Sequence, residues 1–251
     1  MSASEEYPWK GPATTGTRGA FIVVEGLDRA GKTTQVKKLC ETLYASGRNV
    51  KTLRFPDRTS PIGKMIDSYL QSKTEMDDHA IHLLFSANRW EKAKHIRGTI
   101  AQGYTIVCDR YYYSGMVYSA AKNNPALDLQ WARQCDVGLP RPDKVIFLDL
   151  EPEQAEKRGG FGDEKYEKKE MQKEVRWEFM RLRFTPGESS DMIVVNAGPA
   201  IEEVAEKIWQ DIHPTLTMIQ EGMLNELGTV KAWRDDDVEW LGAKVLGGAR
   251  S

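Results

Sequence analysis

The chain reads Gly26-Leu27-Asp28-Arg29-Ala30-Gly31-Lys32-Thr33 one residue after the apolar run Ala20-Phe21-Ile22-Val23-Val24. The first stretch matches the pattern G-x-x-x-x-G-K-[ST], whose glycines let the backbone curl so that successive N–H groups point at phosphate oxygens. Within it, Lys32 can reach the β- and γ-phosphates of a nucleotide, and the Thr33 hydroxyl can ligate Mg²⁺. A helix that begins at the end of this loop would direct the positive end of its dipole toward the phosphates. The two stretches predict a buried strand, a phosphate-binding loop and a helix, in that order.

Four further apolar runs predict the rest of a sheet. They lie at about residues 49–55, 105–109, 145–150 and 192–195. Helical patterns separate them, and strands that alternate with helices form a parallel sheet covered on both faces. We therefore predict an α/β fold of phosphate-loop NTPase type, a three-layer sandwich around a parallel five-stranded sheet.

The chain also divides along its length. Residues 1–18 are predicted to be a disordered leader, residues 19–213 the folded domain, and residues 214–251 a C-terminal extension. The part beyond about residue 221 is polar and glycine-rich and has no recognisable pattern. A glycine-rich loop begins at Gly159 and predicts a short lid over about 159–167. Helices are predicted from Ser114 to Lys122 and, with many charges, from Glu164 onward.

The composition argues against several classes of protein. A formal net charge of −2 and a pI of about 6.2 differ from the strongly basic balance of generic nucleic-acid or membrane-surface proteins. Three cysteines without a C-x-x-C pair indicate a reducing compartment rather than disulfides or zinc ribbons. Neither a secretory signal nor a run of 18 apolar residues is present. We expect no nucleic-acid or membrane partner and a cytoplasmic location, with the nucleus as a second candidate compartment.

Asp109 ends the predicted strand that begins at Thr105. In phosphate-loop proteins, an acidic residue at this point lies beside Mg²⁺ and holds it directly or through water. The alternative is an Asp that caps a turn or a helix.

The phosphate loop alone does not separate GTPases, ATPases and kinases. The base-reading motif Asn-Lys-x-Asp of GTPases is absent from the sequence.

Arg58 and Arg110 follow predicted strand ends, and Arg89 lies within a long helical pattern from Asp77 to Gln102. Guanidinium groups bind phosphate oxygens in bidentate geometry, so a second bound phosphate would need such cations. Phe85 and Arg89 are four residues apart and share a helical face, where a ring can stack on a base and a guanidinium can bond its carbonyl edge. The alternative is a core Phe beside a solvated Arg.

These stretches together resemble the thymidylate kinase family, of eukaryotic type, within the phosphate-loop nucleoside monophosphate kinases. The resemblance covers about residues 19–213. Six motifs carry it, in order: residues 26–34, Phe55-Pro-Asp-Arg58, Leu83-Leu-Phe-Ser-Ala-Asn-Arg-Trp90, Asp109-Arg-Tyr-Tyr-Tyr-Ser-Gly115, Gly138-Leu-Pro-Arg-Pro-Asp143 and Arg158-Gly-Gly-Phe-Gly-Asp-Glu-Lys-Tyr-Glu167. The resemblance implies transfer of the ATP γ-phosphoryl group to dTMP, with Mg²⁺, in a homodimer packed through helices.

The resemblance also implies a role for each site residue. The dTMP site would use Phe85 against thymine, Arg89 on its O4, and Arg58 and Arg110 on the phosphate. Asp28 would meet the 3′-hydroxyl, Tyr118 would lie under the deoxyribose, and Ser114 and Gly115 would line the base edge. Tyr166 would cover the nucleotide, and Phe55 would also belong to this site. The ATP site would use Gly26, Gly31, Lys32, Thr33, Thr34 and Arg158, and Mg²⁺ would lie at Thr33 and Asp109. The catalytic set would be Lys32, Arg29, Arg110 and Asp109. The lid carries Lys165 where the family often has Arg, so the rival catalytic cation is Lys165.

Two alternatives stay open. A related kinase could act on dUMP or on a nucleoside, because a single methyl group separates dUMP from dTMP and contributes about 1–3 kcal/mol of discrimination. The second alternative is a protein that binds nucleotide with its phosphate loop but has lost phosphoryl transfer. The presence of Lys32, Arg29 and Asp109 argues against the second.

Overall fold

Five parallel strands make one sheet in the computed structural model, which describes residues 16–158, 164–239 and 241. The strands are β1 (Phe21–Gly26), β2 (Val50–Arg54), β3 (Thr105–Asp109), β4 (Lys144–Asp149) and β5 (Met192–Asn196). Their order across the sheet is β2-β3-β1-β4-β5, and each neighbouring pair is parallel. The predicted α/β fold with a parallel five-stranded sheet is confirmed.

Helices cover both faces of this sheet. In the described residues they are α1 (Lys32–Ala45), α2 (Pro61–Leu70), α3 (Asp78–Ala101), α4 (Tyr112–Ala120), α5 (Leu129–Gln134), α6 (Pro152–Lys157), α7 (Lys169–Phe184), α8 (Pro186–Ser189) and α9 (Ile201–Gln220). Side chains alternate across β1: Phe21 and Val23 join the core under α3, α4 and α7, whereas Ile22 and Val24 join the core under α1 and α9. The sheet is therefore the middle of three layers.

The strand order determines where on the sheet a ligand can bind. The chain passes from β1 to the edge strand β2, returns to β3 beside β1, and then continues to β4 on the other side of β1. Ligands of open α/β sheets bind outside the carboxyl ends of the strands at such a change of direction. The phosphate loop after β1 and Asp109 at the end of β3 meet at this point.

Two helices begin at residues other than those the patterns predict. Helix α4 begins at Tyr112 instead of Ser114, because the buried carboxylate of Glu25 accepts hydrogen bonds from the backbone N–H groups of Tyr111 and Ser114. Helix α7 begins at Lys169 instead of Glu164. The intervening turn is drawn toward α2, where the backbone N–H of Lys165 donates to the carbonyl of Leu70 at 2.9 Å.

The boundaries of the domain also differ from the predicted ones. Arg18, assigned to the leader, forms an ion pair with Asp143 at 2.7 Å, and residues 1–15 lie outside the described chain. Helix α9 continues through position 213 because its buried stripe extends to Ile219. Beyond it, Val230 is buried in the core, and the buried Asp237 accepts from the backbone N–H of Gly187 at 2.9 Å. The described part of the extension is thus packed into the domain.

Candidate active site

A cavity of about 550 Å³ opens at the carboxyl edge of the sheet. Every predicted site residue except Gly26 lines it: Asp28, Arg29, Gly31, Lys32, Thr33, Thr34, Phe55, Arg58, Phe85, Arg89, Asp109, Arg110, Ser114, Gly115, Tyr118, Arg158 and Tyr166. A second cavity of about 330 Å³ lies on the other side of the loop, toward β5 and α9, and shares Arg29, Gly31, Thr34 and Arg158 with the first. Residues from five of the six motifs therefore face one region, and the motif Gly138–Asp143 contributes none of them.

The phosphate loop has the backbone conformation that its glycines allow. Gly31 has a φ of +92° and immediately precedes α1, and Arg29 has a φ of +68°. A side chain at Gly26 would place its Cβ 2.9 Å from the carbonyl oxygen of Leu148. Arg158 donates to the carbonyl of Arg29 at 3.1 Å, which ties the loop to the end of α6. The loop curls in front of the helix N-terminus, where anions bind.

Lys32 is folded back into the loop. Its Nζ donates to the carbonyls of Leu27 at 2.7 Å and Gly26 at 3.1 Å, and the residue is 8% exposed. Burial lowers the pKa of Lys32 to about 8, and neighbouring Arg110 acts in the same direction, against the attraction of Asp28 and Asp109. An anionic phosphate in the cavity would favour the charged ammonium and raise the pKa again.

We expect ATP binding to take up a proton at alkaline pH. Free protein loses the Lys32 proton near pH 8, whereas bound triphosphate retains it, so affinity should decline above pH 8, by up to about tenfold per pH unit. Calorimetric titration at pH 8.5 in two buffers of different ionisation enthalpy measures the uptake. Lys32→Met should abolish it. Equal binding heats in both buffers for the wild-type protein would contradict the predicted proton uptake.

Asp109 and Thr33 fit a divalent cation. The Oδ1 atom of Asp109 is buried and has no hydrogen-bond partner among the described residues. The other oxygen, Oδ2, lies 3.7 Å from Nε of Arg54. Asp109 and the exposed Thr33 line the same cavity. A carboxylate oxygen without a donor, near a hydroxyl at a helix start, is the oxygen-ligand set that Mg²⁺ accepts directly or through water.

Arg110 is the centre of a polar cluster beside the loop. Its Nη2 lies 2.5 Å from the Asp28 carboxylate, and its Nη1 donates to the hydroxyl of Ser114 at 3.1 Å. The Tyr118 hydroxyl also donates to Asp28, at 3.4 Å. Burial would raise the pKa of Asp28, but Arg110 and Lys32 hold it below its usual value. Asp28 is thus a charged group that holds Arg110 at the cavity wall.

Arg58 lines the same cavity and follows the buried Phe55 in the chain. Its guanidinium contacts Asp67 at 2.6 Å and Glu164 at 2.8 Å, and the side chain is 39% exposed. Glu164 belongs to the predicted lid, whose residues 159–163 lie outside the described chain. A phosphate that binds Arg58 would meet these two carboxylates, so it must displace at least part of this pairing.

Helix α3 supplies a further part of the cavity wall. Phe85 is half-buried and packs beside Ile81 and Leu70. Arg89 is only 2% exposed and is held by both carboxylate oxygens of Asp136, at 2.8 and 3.0 Å. A side chain at Gly115 would place its Cβ 2.8 Å from Arg89 Nη2. The alternative of a solvated Arg89 is wrong, because a buried carboxylate fixes this guanidinium at the cavity.

Replacing Arg89 with Ala should raise the KM for dTMP far more than the KM for ATP. A lost charge-assisted bond to a base costs about 1.5–3 kcal/mol, or at least about tenfold in KM. The variant also leaves Asp136 buried without its partner, which costs about 3–5 kcal/mol of folding stability. Asp136→Asn in the same background should recover thermal stability but not the dTMP KM. Equal changes in the two KM values would make Arg89 purely structural.

His82 adds a fixed hydrogen-bond direction to this wall. Its Nε2 lies 2.8 Å from the Ala132 carbonyl, which can only accept, so Nδ1 accepts the proton of the Ser119 hydroxyl at 2.7 Å. Burial and Arg89 lower the pKa of His82 to about 4, so the ring is neutral. Cys135 and Asp136 lie close enough to share a cation with His82, but the nitrogens of His82 and the carboxylate of Asp136 are already used in the bonds to Ser119, Ala132 and Arg89.

The described part of the lid closes one end of the cavity. The ring of Tyr166 lies 5.5 Å from that of Tyr118. Gln172 links the lid to the loop, because its Nε2 donates to Asp28 and to the Tyr166 carbonyl, both at 2.9 Å. Lys165 instead pairs with Glu75 at 2.5 Å and lies 4.3 Å above the ring of Tyr69. Lys165 therefore faces away from the phosphate loop, and it does not line either cavity described above.

Several residues of the site were not identified from the sequence: Glu25, Arg54, His82, Ser119, Asp136 and Gln172. One signal existed for Glu25, a carboxylate within an otherwise apolar strand. No sequence signal indicated the pairing of Asp136 with Arg89, because 47 residues separate the two.

Comparisons with known proteins agree with the geometry. A thymidylate kinase family model matches residues 24–208. The chain is 47% identical to thymidylate kinase of Arabidopsis thaliana, over 82% of this chain and 75% of that protein. It is 48% identical to thymidylate kinase of Homo sapiens, over 76% of this chain and 88% of that protein. The solved structure of thymidylate kinase from Candida albicans, an enzyme of broad substrate specificity, superposes with a TM-score of 0.74 at 37% identity, covering 87% of this chain and 99% of that one.

None of the helices in the described ranges combines the length and apolar character that crossing a bilayer requires.

Proposed function

This chain belongs to the thymidylate kinase family, and on that premise we propose that it transfers the γ-phosphoryl group of ATP to dTMP, giving dTDP and ADP. One observation supports this most strongly. Two groups of cations, Lys32 and Arg29 in the phosphate loop and Arg110 and Arg58 on the adjoining walls, line one cavity beside Phe85 and Arg89. A donor phosphate and an acceptor phosphate would both be neutralised there, next to a surface that suits a pyrimidine.

In this proposal the barrier falls by positioning and charge neutralisation. Lys32 binds the β- and γ-phosphates, Arg110 and Arg58 hold the acceptor phosphate, and Arg29 contacts the transferring group. Thr33 and Asp109 would hold Mg²⁺, which neutralises phosphate charge when it is bound. The acceptor is a phosphate oxygen that is already ionised, so no general base is required. Tyr166 and the lid would exclude water from the transfer.

The direct test is ADP release by purified protein with and without dTMP. We expect dTMP-dependent turnover with Mg²⁺ and ATP, and basal ATP hydrolysis far below it. Hydrolysis that dTMP does not stimulate would overturn the proposal. A panel of dTMP, dUMP, dCMP and thymidine then defines the acceptor, since dUMP lacks only one methyl group. Turnover of thymidine above that of dTMP would instead identify a nucleoside kinase.

We propose a homodimer formed through the paired helices α2 and α3. Met65 on α2 and Leu83 on α3 are each 48% exposed, and Trp90 on α3 is 42% exposed. Burying such side chains against a second copy is favourable, at about 25 cal/mol per Å² of apolar surface. Light scattering should report twice the 28.4 kDa chain mass, and Leu83→Glu should shift it to the monomer.

A cytoplasmic location, with the nucleus as a second compartment, agrees with the three free cysteines, two of them buried. Cell fractionation with an antibody to the protein tests this assignment.

A further inference from the structure

Glu25 is a buried carboxylate with no role in the transfer described so far. It is the residue of β1 directly before Gly26, and it is 0% exposed. A buried charge persists only where polar partners compensate for its lost hydration. Its partners therefore indicate what the residue does.

Within the described residues, the Glu25 carboxylate accepts its hydrogen bonds from the start of α4. Oε1 accepts from the backbone N–H of Tyr111 at 2.8 Å and of Ser114 at 3.1 Å, and Oε2 accepts from the Ser114 hydroxyl at 2.6 Å. The cap residue of α4, Tyr111, makes no side-chain cap bond. Glu25 thus caps, from a neighbouring strand, the helix that carries Ser114 and Tyr118.

The same carboxylate reaches Arg110 through one intermediate. The Ser114 hydroxyl gives its proton to Glu25, which leaves its lone pairs for Nη1 of Arg110 at 3.1 Å. The Arg110 backbone has a φ of +66°, a left-handed conformation that is uncommon for a residue with a side chain. The bond from Glu25 to the next residue, Tyr111, holds the chain where this turn occurs.

Arg110 has a second anchor, Asp28, at 2.5 Å. Family resemblance assigns Asp28 to the sugar of the acceptor, so that anchor is shared with substrate in the bound state. Glu25 itself does not line the cavity, so its bond to Ser114 supports Arg110 from behind the cavity wall. It can hold the guanidinium in place while Asp28 changes partners.

We propose that Glu25 is a positioning residue for the acceptor phosphate, acting through Ser114 and the start of α4 to fix the guanidinium of Arg110. The inference rests on the proposed function, because it assigns the acceptor phosphate to Arg110. A carboxylate is required here, since it accepts on both oxygens. In Glu25→Gln one of these atoms becomes a donor. It then faces either the two backbone N–H groups or the Ser114 hydroxyl proton, which must turn away and can oppose the Arg110 N–H group.

The test is a double-mutant cycle between Glu25→Gln and Arg110→Ala, read by dTMP binding in calorimetry and by both KM values. In the wild-type background, Glu25→Gln should weaken dTMP binding about tenfold and change the ATP KM less than about twofold. In the Arg110→Ala background, the same substitution should change dTMP binding less than about twofold. Equal weakening in both backgrounds would overturn the proposal, because a merely structural carboxylate does not act through Arg110.

Glu178→Gln is the matched control. Glu178 is another buried carboxylate, 7% exposed on α7, and it pairs with Arg181 at 2.8 Å. It does not line the cavity described above. The control should lower thermal stability without changing dTMP binding. An equal loss of dTMP binding in the control would also overturn the proposal.

A second variant covers the case in which Glu25→Gln does not fold. Ser114→Ala removes the hydroxyl that relays to Arg110 and leaves the backbone cap of Glu25 in place. The same cycle with Arg110→Ala should again be non-additive, and additivity would overturn the proposal. Wild-type protein in the same assays separates the two hypotheses: failure to phosphorylate dTMP refutes the proposed function, whereas normal turnover with an additive cycle refutes only the role of Glu25.

Discussion

Arg29→Gly should lower kcat by about 10³-fold or more while both KM values stay nearly unchanged. Charge spreads over the moving phosphoryl group in the transition state, and a cation that meets it only then changes kcat rather than KM. Arg29 lies in the phosphate loop and lines the cavity with Lys32. Its side chain is 17% exposed, and Nη2 lies 3.9 Å from Glu167, so it stands between the loop and the lid.

Glycine is a suitable replacement because of the backbone. Arg29 has a φ of +68°, a conformation that glycine adopts without steric cost. The variant therefore removes the guanidinium and leaves the loop curled, and an unchanged melting temperature and unchanged ATP binding would verify this. A kcat loss below about threefold would identify Arg29 as a solvated loop charge.

Lys165→Ala is the control for the rival assignment. In the structure Lys165 pairs with Glu75 and stands over the Tyr69 ring, so we expect kcat to change less than about threefold, as for an exposed ion pair. Both variants should be measured at saturating ATP and dTMP. A severe loss for Lys165→Ala beside a mild one for Arg29→Gly would move the catalytic cation to the lid.

Lys32→Ala should lower kcat/KM by at least about 10²–10³-fold, the loss that follows when one preorganised donor to transition-state charge is removed. Nζ is held by carbonyls of the loop itself, at 2.7 and 3.1 Å. These are weaker partners for an ammonium than a triphosphate would be. ATP should transfer Nζ to its phosphates with little movement of the loop.

The substitution should preserve the fold. Lys32 is the first residue of α1, and Ala is the best helix former. Lys37→Ala, an exposed lysine on the same helix, should behave as wild type. Activity of Lys32→Ala within tenfold of wild type would refute the assignment of the phosphate loop.

The sequence predicted most of this architecture because the relevant signals are local. Gly31 permits a left-handed turn, Lys32 and Thr33 follow it at fixed spacing, and apolar runs mark each strand. These properties depend on the few residues around each position. The predicted helix start at Glu164 is wrong because tertiary contacts override the local pattern there. Its charged pattern suits a helix, but the contacts of Lys165 and Tyr166 with α2 hold the segment as a turn.

The short range of these sequence signals separates what the sequence determined from what only the tertiary structure decided. By itself the sequence determined a phosphate loop, a five-stranded parallel sheet and the side chains that face the cavity. The tertiary structure decided which polar groups pair: Arg89 with Asp136, 47 residues away, and Glu25 with Ser114, 89 residues away. It also packed Val230 and Asp237 into the domain. Helix and turn preferences act over a few residues, whereas the partner of a buried charge is set by the strand order that brings distant segments together.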